Sequence, residues 1–198
     1  MHDSMTEKIP LFPLHTVLFP GGLLPLRIFE PRYIDLISEA LRTSTGFGVS
    51  LIRDGREVGE AAKCFDTGTY ATIVDWHREE DGLLGIVVKG ERRFRVESYS
   101  IRSNNLLEGE VEWIDGEVEM LCPAQYQPLQ ELLEKIVKRY DLPYQEQLEK
   151  SRDASWLGNR LAEVIPVETV IKQQLLEISD PMLRLAQLKN IISQAHPL

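Results

Sequence analysis

Two periodicities divide the chain. Up to residue 118 the apolar positions come in short blocks or alternate with polar ones, as in strands. Beyond Cys122-Pro123 they recur every third or fourth residue, as in helices. In the first part, Thr69–Trp76 is rich in β-branched and aromatic residues, and Glu80-Asp81-Gly82 separates it from the apolar run Leu83–Val88. Asp-Gly between two such runs predicts a hairpin, and the return strand is apolar enough for burial on both faces. After Lys89-Gly90, Phe94 and Val96 share one face while Glu91, Arg93, Arg95 and Glu97 share the other, which predicts a half-buried strand. Gly46–Ile52 and Gly109–Ile114 are further strand candidates, the latter with Val111 and Trp113 inward. One helix interrupts this pattern. Pro31 suits its first turn, and Tyr33, Ile37 and Leu41, with Ile34 alongside, form an apolar stripe that ends at Thr43–Gly46.

In the second part Tyr126, Leu129, Leu132, Leu133, Ile136, Val137 and Tyr140 trace an amphipathic helix, broken by Asp141-Leu142-Pro143. Ser155 is the expected cap of a short helix reaching Val164, stopped by Ile165-Pro166. Another helix is expected over Glu168–Glu177. Asp180-Pro181, a cap followed by proline at the first helical position, opens a last one carrying Met182, Leu185, Leu188, Ile191 and Ile192. Leu142–Ala154 is polar and reads as a connection. The pattern predicts an α+β protein: a β-rich lobe with one helix, residues 1–118, and an α-helical bundle, residues 119–198.

Composition narrows the partners. The 198 residues hold 22 basic and 31 acidic side chains, a net charge of −9, and residues 1–118 alone hold 13 basic and 20 acidic. Neither part has the positive footprint that neutralises phosphates, which argues against nucleic acid or an anionic membrane as partner. The apolar run Leu83–Val88 is far short of the roughly 20 residues that span a bilayer. Met1-His2-Asp3-Ser4-Met5 lacks the basic and apolar regions of a secretory signal, so a cytoplasmic setting is expected. Cys64 and Cys122 match no zinc spacing and read as unpaired thiols, with a disulfide between them as the alternative.

Catalytic signatures are missing from the sequence. There is no GxxxxGK[ST] loop. Gly46-Phe47-Gly48 begins a dinucleotide fingerprint that Leu51 fails to continue, and Gly48-Val49-Ser50 meets Ile52 where a nucleophile elbow needs glycine. His2, His15, His77 and His196 are scattered, His15 in an apolar stretch that suits a packed or half-exposed ring, His77 beside the hairpin tip in solvent. Glu108, Glu110 and Glu112 would line one strand face and could hold a divalent cation. The cheaper reading is cross-strand pairing of Glu110 and Glu112 with Arg93 and Arg95, at about 0.2–1 kcal/mol per pair. No catalytic, cofactor-binding or metal residue is therefore assigned, and no cofactor is expected.

Two blocks carry a resemblance. The first runs Ile9-Pro10-Leu11-Phe12-Pro13-Leu14, Val17-Leu18-Phe19-Pro20-Gly21-Gly22, and Leu24-Pro25-Leu26-Arg27-Ile28-Phe29-Glu30-Pro31-Arg32-Tyr33. The second comprises Gly68-Thr69, Ala71-Thr72-Ile73 and Val87-Val88-Lys89-Gly90-Glu91-Arg92-Arg93-Phe94-Arg95-Val96. With Leu161-Ala162-Glu163, Leu175–Asp180 and Arg184-Leu185, they make the chain similar to the N-terminal substrate-binding domain of ATP-dependent Lon proteases over residues 7–192. The resemblance implies a PUA-like pseudo-barrel lobe followed by helices. It also implies a free-standing short form, because 198 residues leave no room for the ATPase and Ser–Lys peptidase modules. Most signature residues read as scaffold. Pro10, Pro13, Pro20 and Pro25 interrupt sheet pairing to give short, bent strands, Gly21-Gly22 permits a turn, and Glu30 lies at a helix start where Arg27 or Arg32 can pair with it.

The function implied is a non-catalytic module that binds unfolded polypeptide or a specific protein partner; the sequence leaves oligomeric state open. Leu23 and Leu24 after the Gly-Gly turn, and Trp76 by the hairpin, are the contact candidates, each against a role in the core. An RNA-binding module is the alternative from the PUA-like kinship, resting on Arg92, Arg93 and Arg95 beside Phe94 and opposed by the acidic charge. A small hydrolase whose site assembles only in space is the last.

Overall fold

The computed structural model describes residues 6–57 and 62–195. In chain order the elements are β1 (Glu7–Leu14), β2 (Leu23–Ile28), α1 (Pro31–Thr43), β3 (Phe47–Asp54), β4 (Lys63–Cys64), β5 (Thr67–Arg78), β6 (Leu84–Ile101) and β7 (Leu107–Trp113). Helices α2 (Gln127–Arg139), α3 (Ala154–Val164), α4 (Thr169–Glu177) and α5 (Pro181–Ala195) follow. The chain divides into two units, Met1–Gly116 and Glu117–Leu198. The α+β character expected from the pattern is present, with strands and one helix in the first unit and helices in the second.

In the first unit the long hairpin β5–β6 is the spine, turned at Gly82 with φ 86° where glycine is favoured. Along its other edge, β6 pairs first with β2 (Leu84–Lys89) and then with β7 (Phe94–Ile101), both antiparallel. Strand β5 continues to β3, β3 pairs with β1 in parallel, and β1 returns to β7, so these pairings close a ring. Irregularities at Thr69/Ala71, Ile73/Asp75 and Val96/Ser98 bend the long strands around it. Gly48 and Gly68 allow the close approach inside: a Cβ on either would stand 2.6 or 2.5 Å from the Phe94 ring.

The prolines of β1 do not interrupt pairing, contrary to the sequence reading. Glu7–Pro10 pairs with β7 and Leu11–Leu14 with β3, so β1 changes partner between Pro10 and Leu11. A strand paired on one side at a time can turn a proline nitrogen toward its unpaired side.

Helix α1 buries Tyr33, Leu36, Ile37 and Ala40, while Ile34 and Leu41 stay exposed. At about 100° per residue the four buried positions share one face and the other two lie on its flank, so the true stripe is rotated from the predicted one. Phe12 stacks on Tyr33 with centroids 4.0 Å apart, and Phe47 completes the trio at 5.7 Å from Phe12. Ser44, with φ 56°, caps the helix, its N–H donating to the Ala40 carbonyl. Arg93, expected on an exposed face, is buried. Its cross-strand neighbour Thr69 donates through Oγ1 to the Leu18 carbonyl at 2.6 Å, and Gly90 exchanges backbone bonds with Gly21 and Gly22. The connection after β1 thus folds back onto β5 and β6 at Thr69 and Gly90.

In the second unit α2 buries Tyr126, Leu129, Leu133 and Val137, leaves Leu132 and Ile136 half-buried, and exposes Tyr140. Asp141, at φ 50°, ends that region, and residues Gln145–Arg152 form a 3-10 helix where a connection was expected. Asp153, not Ser155, caps α3: its Oδ1 accepts from Trp156 N at 2.7 Å, and its charge suits the helix start. Ser155 instead donates its hydroxyl to Glu117 at 2.5 Å. Asp180 caps α5 as the sequence predicts, accepting from Met182 N at 2.8 Å.

Two buried arginines hold these helices. Arg184 of α5 is 0% exposed. Its Nη1 donates to Glu117 Oε2 at 2.8 Å and its Nη2 to Glu117 Oε1. Its Nε reaches the Leu175 carbonyl at 3.0 Å, and its Nη2 also reaches the Ile178 carbonyl. These carbonyls end α4, where a cation is favoured by the helix dipole. Gly158 of α3 leaves space beside the arginine stem, since a Cβ there would lie 3.2 Å from Arg184 Cδ. Arg160 pairs with Glu163 at 3.0 Å and lies over the Tyr144 ring, whose hydroxyl donates to Glu163 Oε1 at 2.6 Å. Burial, partly offset by Arg160, Tyr144 and Lys172, pushes the Glu163 carboxyl above the usual carboxylate range.

Arg184→Met keeps the volume but leaves Glu117 buried without its cation. Loss of one partner of such a pair costs about 3–5 kcal/mol. Urea unfolding followed by far-ultraviolet circular dichroism, to which the helices of the second unit contribute most, is expected to show that loss, and an unchanged midpoint would mean that packing alone suffices.

Candidate functional site

Strands β2, β6 and β5 place the contact candidates. Leu24 pairs with Val88 and Trp76 with Ile86, and Val88 and Ile86 lie two residues apart on β6. Directly paired residues share a face, so Leu24 and Trp76 stand on the same face of this three-stranded arm. Leu26, opposite Ile86, and Ile73, opposite Val88, join them. Ile86 and Val88 are fully buried in the core, Leu24, Leu26 and Ile73 pack against that core from its margin, and Trp76 is 63% exposed. Leu23 pairs with Lys89 and therefore points to the opposite face, so the structure separates it from the other two. Leu26 and Ile73 were not singled out from the sequence. The alternation Leu24-x-Leu26-x-Ile28 was the available signal, obscured by Pro25, which reads as a strand breaker. β2 carries that proline because only one of its edges is paired: its missing N–H faces the open side. Arg27, exposed at the same edge, pairs with Asp81 rather than with Glu30. Glu30 is held by Arg32 at 3.2 Å.

The acidic strand is organised differently from either sequence reading. Glu108 is buried and bridged between Lys8 at 2.6 Å and Arg102 at 2.7 Å. Arg102 also reaches Glu39 on α1 at 2.8 Å. Glu110 accepts from the hydroxyls of Thr6 and Ser98, both at 3.1 Å. Arg95 stands opposite Glu112 in register, and Arg93 is buried. The three carboxylates thus take partners from different elements instead of converging.

The basic cluster is likewise dispersed. Arg92 lies over the Trp113 ring at 3.4 Å with Glu7 at 3.9 Å, Arg93 is buried, and Arg95 faces Glu112. Cys64 and Cys122 are free thiols. Burial pushes Cys64 up to about 11, and burial also raises Cys122, so neither has the thiolate character of a nucleophile. His15 is exposed, and only its backbone N–H is engaged, by Glu57 at 2.6 Å. His77 is exposed beside Glu79 at 3.3 Å. Among the described residues no helix is long and apolar enough to cross a membrane.

The elements define a mixed α/β fold. A model of the ATP-dependent protease La (LON) substrate-binding domain matches residues 8–194, and the chain belongs to that family. Its fold is similar to the crystal structure of a Lon N-terminal domain protein from Xanthomonas campestris, 36% identical, with a TM-score of 0.77 over 93% of this chain and 98% of that one. The N-terminal domain of Mycobacterium avium complex Lon protease shares the fold at 19% identity and a TM-score of 0.68, over 93% of this chain and 97% of that one. The Lon protease of Syntrophus aciditrophicus is 26% identical over 96% of this chain and 25% of its own length. The chain thus spans about a quarter of the curated relatives it matches.

The Glu108 cluster yields a pH signature. Burial alone would raise this carboxyl, but hydrogen bonds from Lys8 and Arg102 outweigh it and hold the group below the usual carboxylate range. The ionised form then stabilises the fold above the unfolded pKa, and that contribution disappears as pH falls through the lower folded value. Urea midpoints measured from neutral pH downward are expected to fall less steeply for Glu108→Gln than for the parent chain. Parallel acid limbs would exclude a role for this pair in acid stability.

Proposed function

We propose that the chain is a non-catalytic polypeptide-recognition module that binds unfolded or exposed segments of other proteins. Family membership supports this reading, and the observation that carries it is the exposed Trp76 beside Leu24, Leu26 and Ile73 on a folded sheet arm. A large aromatic ring left in solvent at the edge of an apolar margin is the type of anchor that dominates protein contacts. The ring of strand pairings supports a PUA-like pseudo-barrel as the scaffold. Stacking, burial and acidic neighbours leave Arg92, Arg93 and Arg95 without a continuous basic surface, so RNA recognition is the weaker reading. The free thiols suit a cytoplasmic setting.

Fluorescein-labelled casein, an unfolded polypeptide, is the probe. Anisotropy is expected to show binding to the full chain, weakened roughly tenfold or more by Trp76→Ala, the effect of removing an aromatic anchor. The thermal midpoint of that variant should barely move, because the ring is mostly in solvent. Binding no stronger than to an unrelated acidic protein would refute the proposal.

A further inference from the structure

Near the start of the second unit, a short segment pairs on one side only. Leu121 forms a single antiparallel bridge with Asp153. The bonds around it are Cys122 N–H to the Arg152 carbonyl at 2.7 Å and Ala154 N–H to the Met120 carbonyl at 2.8 Å. Met120 N–H donates to the Asp153 carboxylate at 2.9 Å. Residues 120 and 122 therefore spend their backbone groups on the α3 side. Because Cys122 and Met120 make the bonds of this bridge, the N–H and C=O of Leu121 point to the other side, where they have no partner among the described residues.

This open edge is also apolar. Val118 is 77% exposed, Leu121 79% and Met120 42%. Such a row of unpaired backbone groups flanked by large apolar side chains is a template for another extended chain. The segment contrasts with β2, whose outer edge is blocked by Pro25 and by the Arg27–Asp81 pair. Charge selects among extended chains. Glu119 is exposed and carries no ion pair among the described residues, and past Cys122 the segment borders a cleft of about 320 Å³ whose lining includes Glu131 and Glu134. Glu134 already holds Lys138, and Glu131 accepts from Gln127 at 3.1 Å, but the lining offers no cation of its own.

We propose that the edge at Glu119–Leu121 takes an extended polypeptide segment by strand addition, with apolar residues beside Val118 and Met120 on one face and lysine or arginine beside Glu119 on the other, toward the acidic cleft. The proposal rests on the polypeptide-recognition reading but uses a surface separate from the Trp76 arm. Backbone bonds to Leu121 supply register and most of the affinity, and the acids supply the preference for basic segments.

The probe is a labelled hexapeptide of alternating valine and lysine, with a version N-methylated on alternate residues and an acidic version carrying glutamate for lysine. The full chain is expected to bind the basic peptide, and the N-methylated and acidic peptides at least tenfold more weakly. Leu121→Pro removes only an N–H that the fold does not use, and the extended residue before it tolerates a proline. It should weaken the basic peptide about tenfold, the scale of a lost interchain hydrogen bond with its neighbour disturbed. Leu121→Lys, which blunts the edge by charge, should do the same, with circular dichroism confirming that both variants fold. Trp76→Ala should leave hexapeptide binding intact. Equal binding of the N-methylated peptide, of the acidic peptide, or by Leu121→Pro would overturn the proposal. Loss of casein binding in Trp76→Ala with hexapeptide binding retained would separate this site from the arm, and loss of both in that one variant would also overturn it.

Discussion

The surfaces of the first unit follow from one constraint: β1 must close the ring of strands while carrying two prolines. A strand paired on both sides throughout would need every N–H that Pro10 and Pro13 lack. β1 meets this by pairing with β7 through Pro10 and with β3 from Leu11 onward. The parallel β1–β3 contact completes the ring, and it brings Phe12 onto Tyr33 of α1 and close to Phe47 of β3. Closure removes most open edges. What remains is the arm, where β6 outruns the ring and recruits β2 instead of β7. Trp76 lies on that arm, which is why a large aromatic of a regular strand is left in solvent.

The second unit depends on buried cations. Arg184 and Arg160 are among the largest fully buried side chains, and burying an arginine is unfavourable unless each donor is matched. Arg184 offsets that cost with a bidentate carboxylate and with the carbonyls that end α4, groups that would otherwise be orphaned. One side chain thus ties together the first residue of the unit, the end of α4 and α5, with Gly158 of α3 alongside. An apolar residue at this place could fill the volume but could not fix the direction in which α4 ends.

Legibility from sequence varied with the range of the interaction. The β5–β6 hairpin, the α2 stripe and the Asp180-Pro181 start of α5 are local signals, and each appears where the pattern puts it. β1 and β2 were obscured because proline speaks against a strand locally, while the unpaired side that tolerates it is a property of the assembled sheet. Arg93 looked solvent-facing by alternation, yet it is buried, while the connection after β1 folds back over its neighbour Thr69 and over Gly90. The rotation of α1 has the same origin, since its stripe could be drawn through Leu41 or through Leu36 and Ala40, and the core chose the second. Of the contact candidates, the exposure of Trp76 and the opposite facing of Leu23 depend on register, which no single strand encodes.

The two units treat open strand edges in opposite ways, and this bears on how a recognition module would read its partners. Pro25 and Arg27 guard the edge of β2, so the arm can engage another chain only through side chains, above all Trp76. Side-chain recognition of that kind is tolerant of sequence but sensitive to apolar content, because burial is non-directional. At Leu121 no proline or ion pair guards the edge, and the backbone itself is offered. Backbone pairing demands an extended, unprotected chain and so discriminates unfolded from folded proteins, with the nearby acids adding a preference for basic segments. Under the proposed function, a surface that senses apolar side chains and an edge that senses free backbone would test different properties of the same kind of client. On the proposed reading, neither needs a deep pocket, which is consistent with a family fold whose signature residues mostly maintain turns, strands and caps.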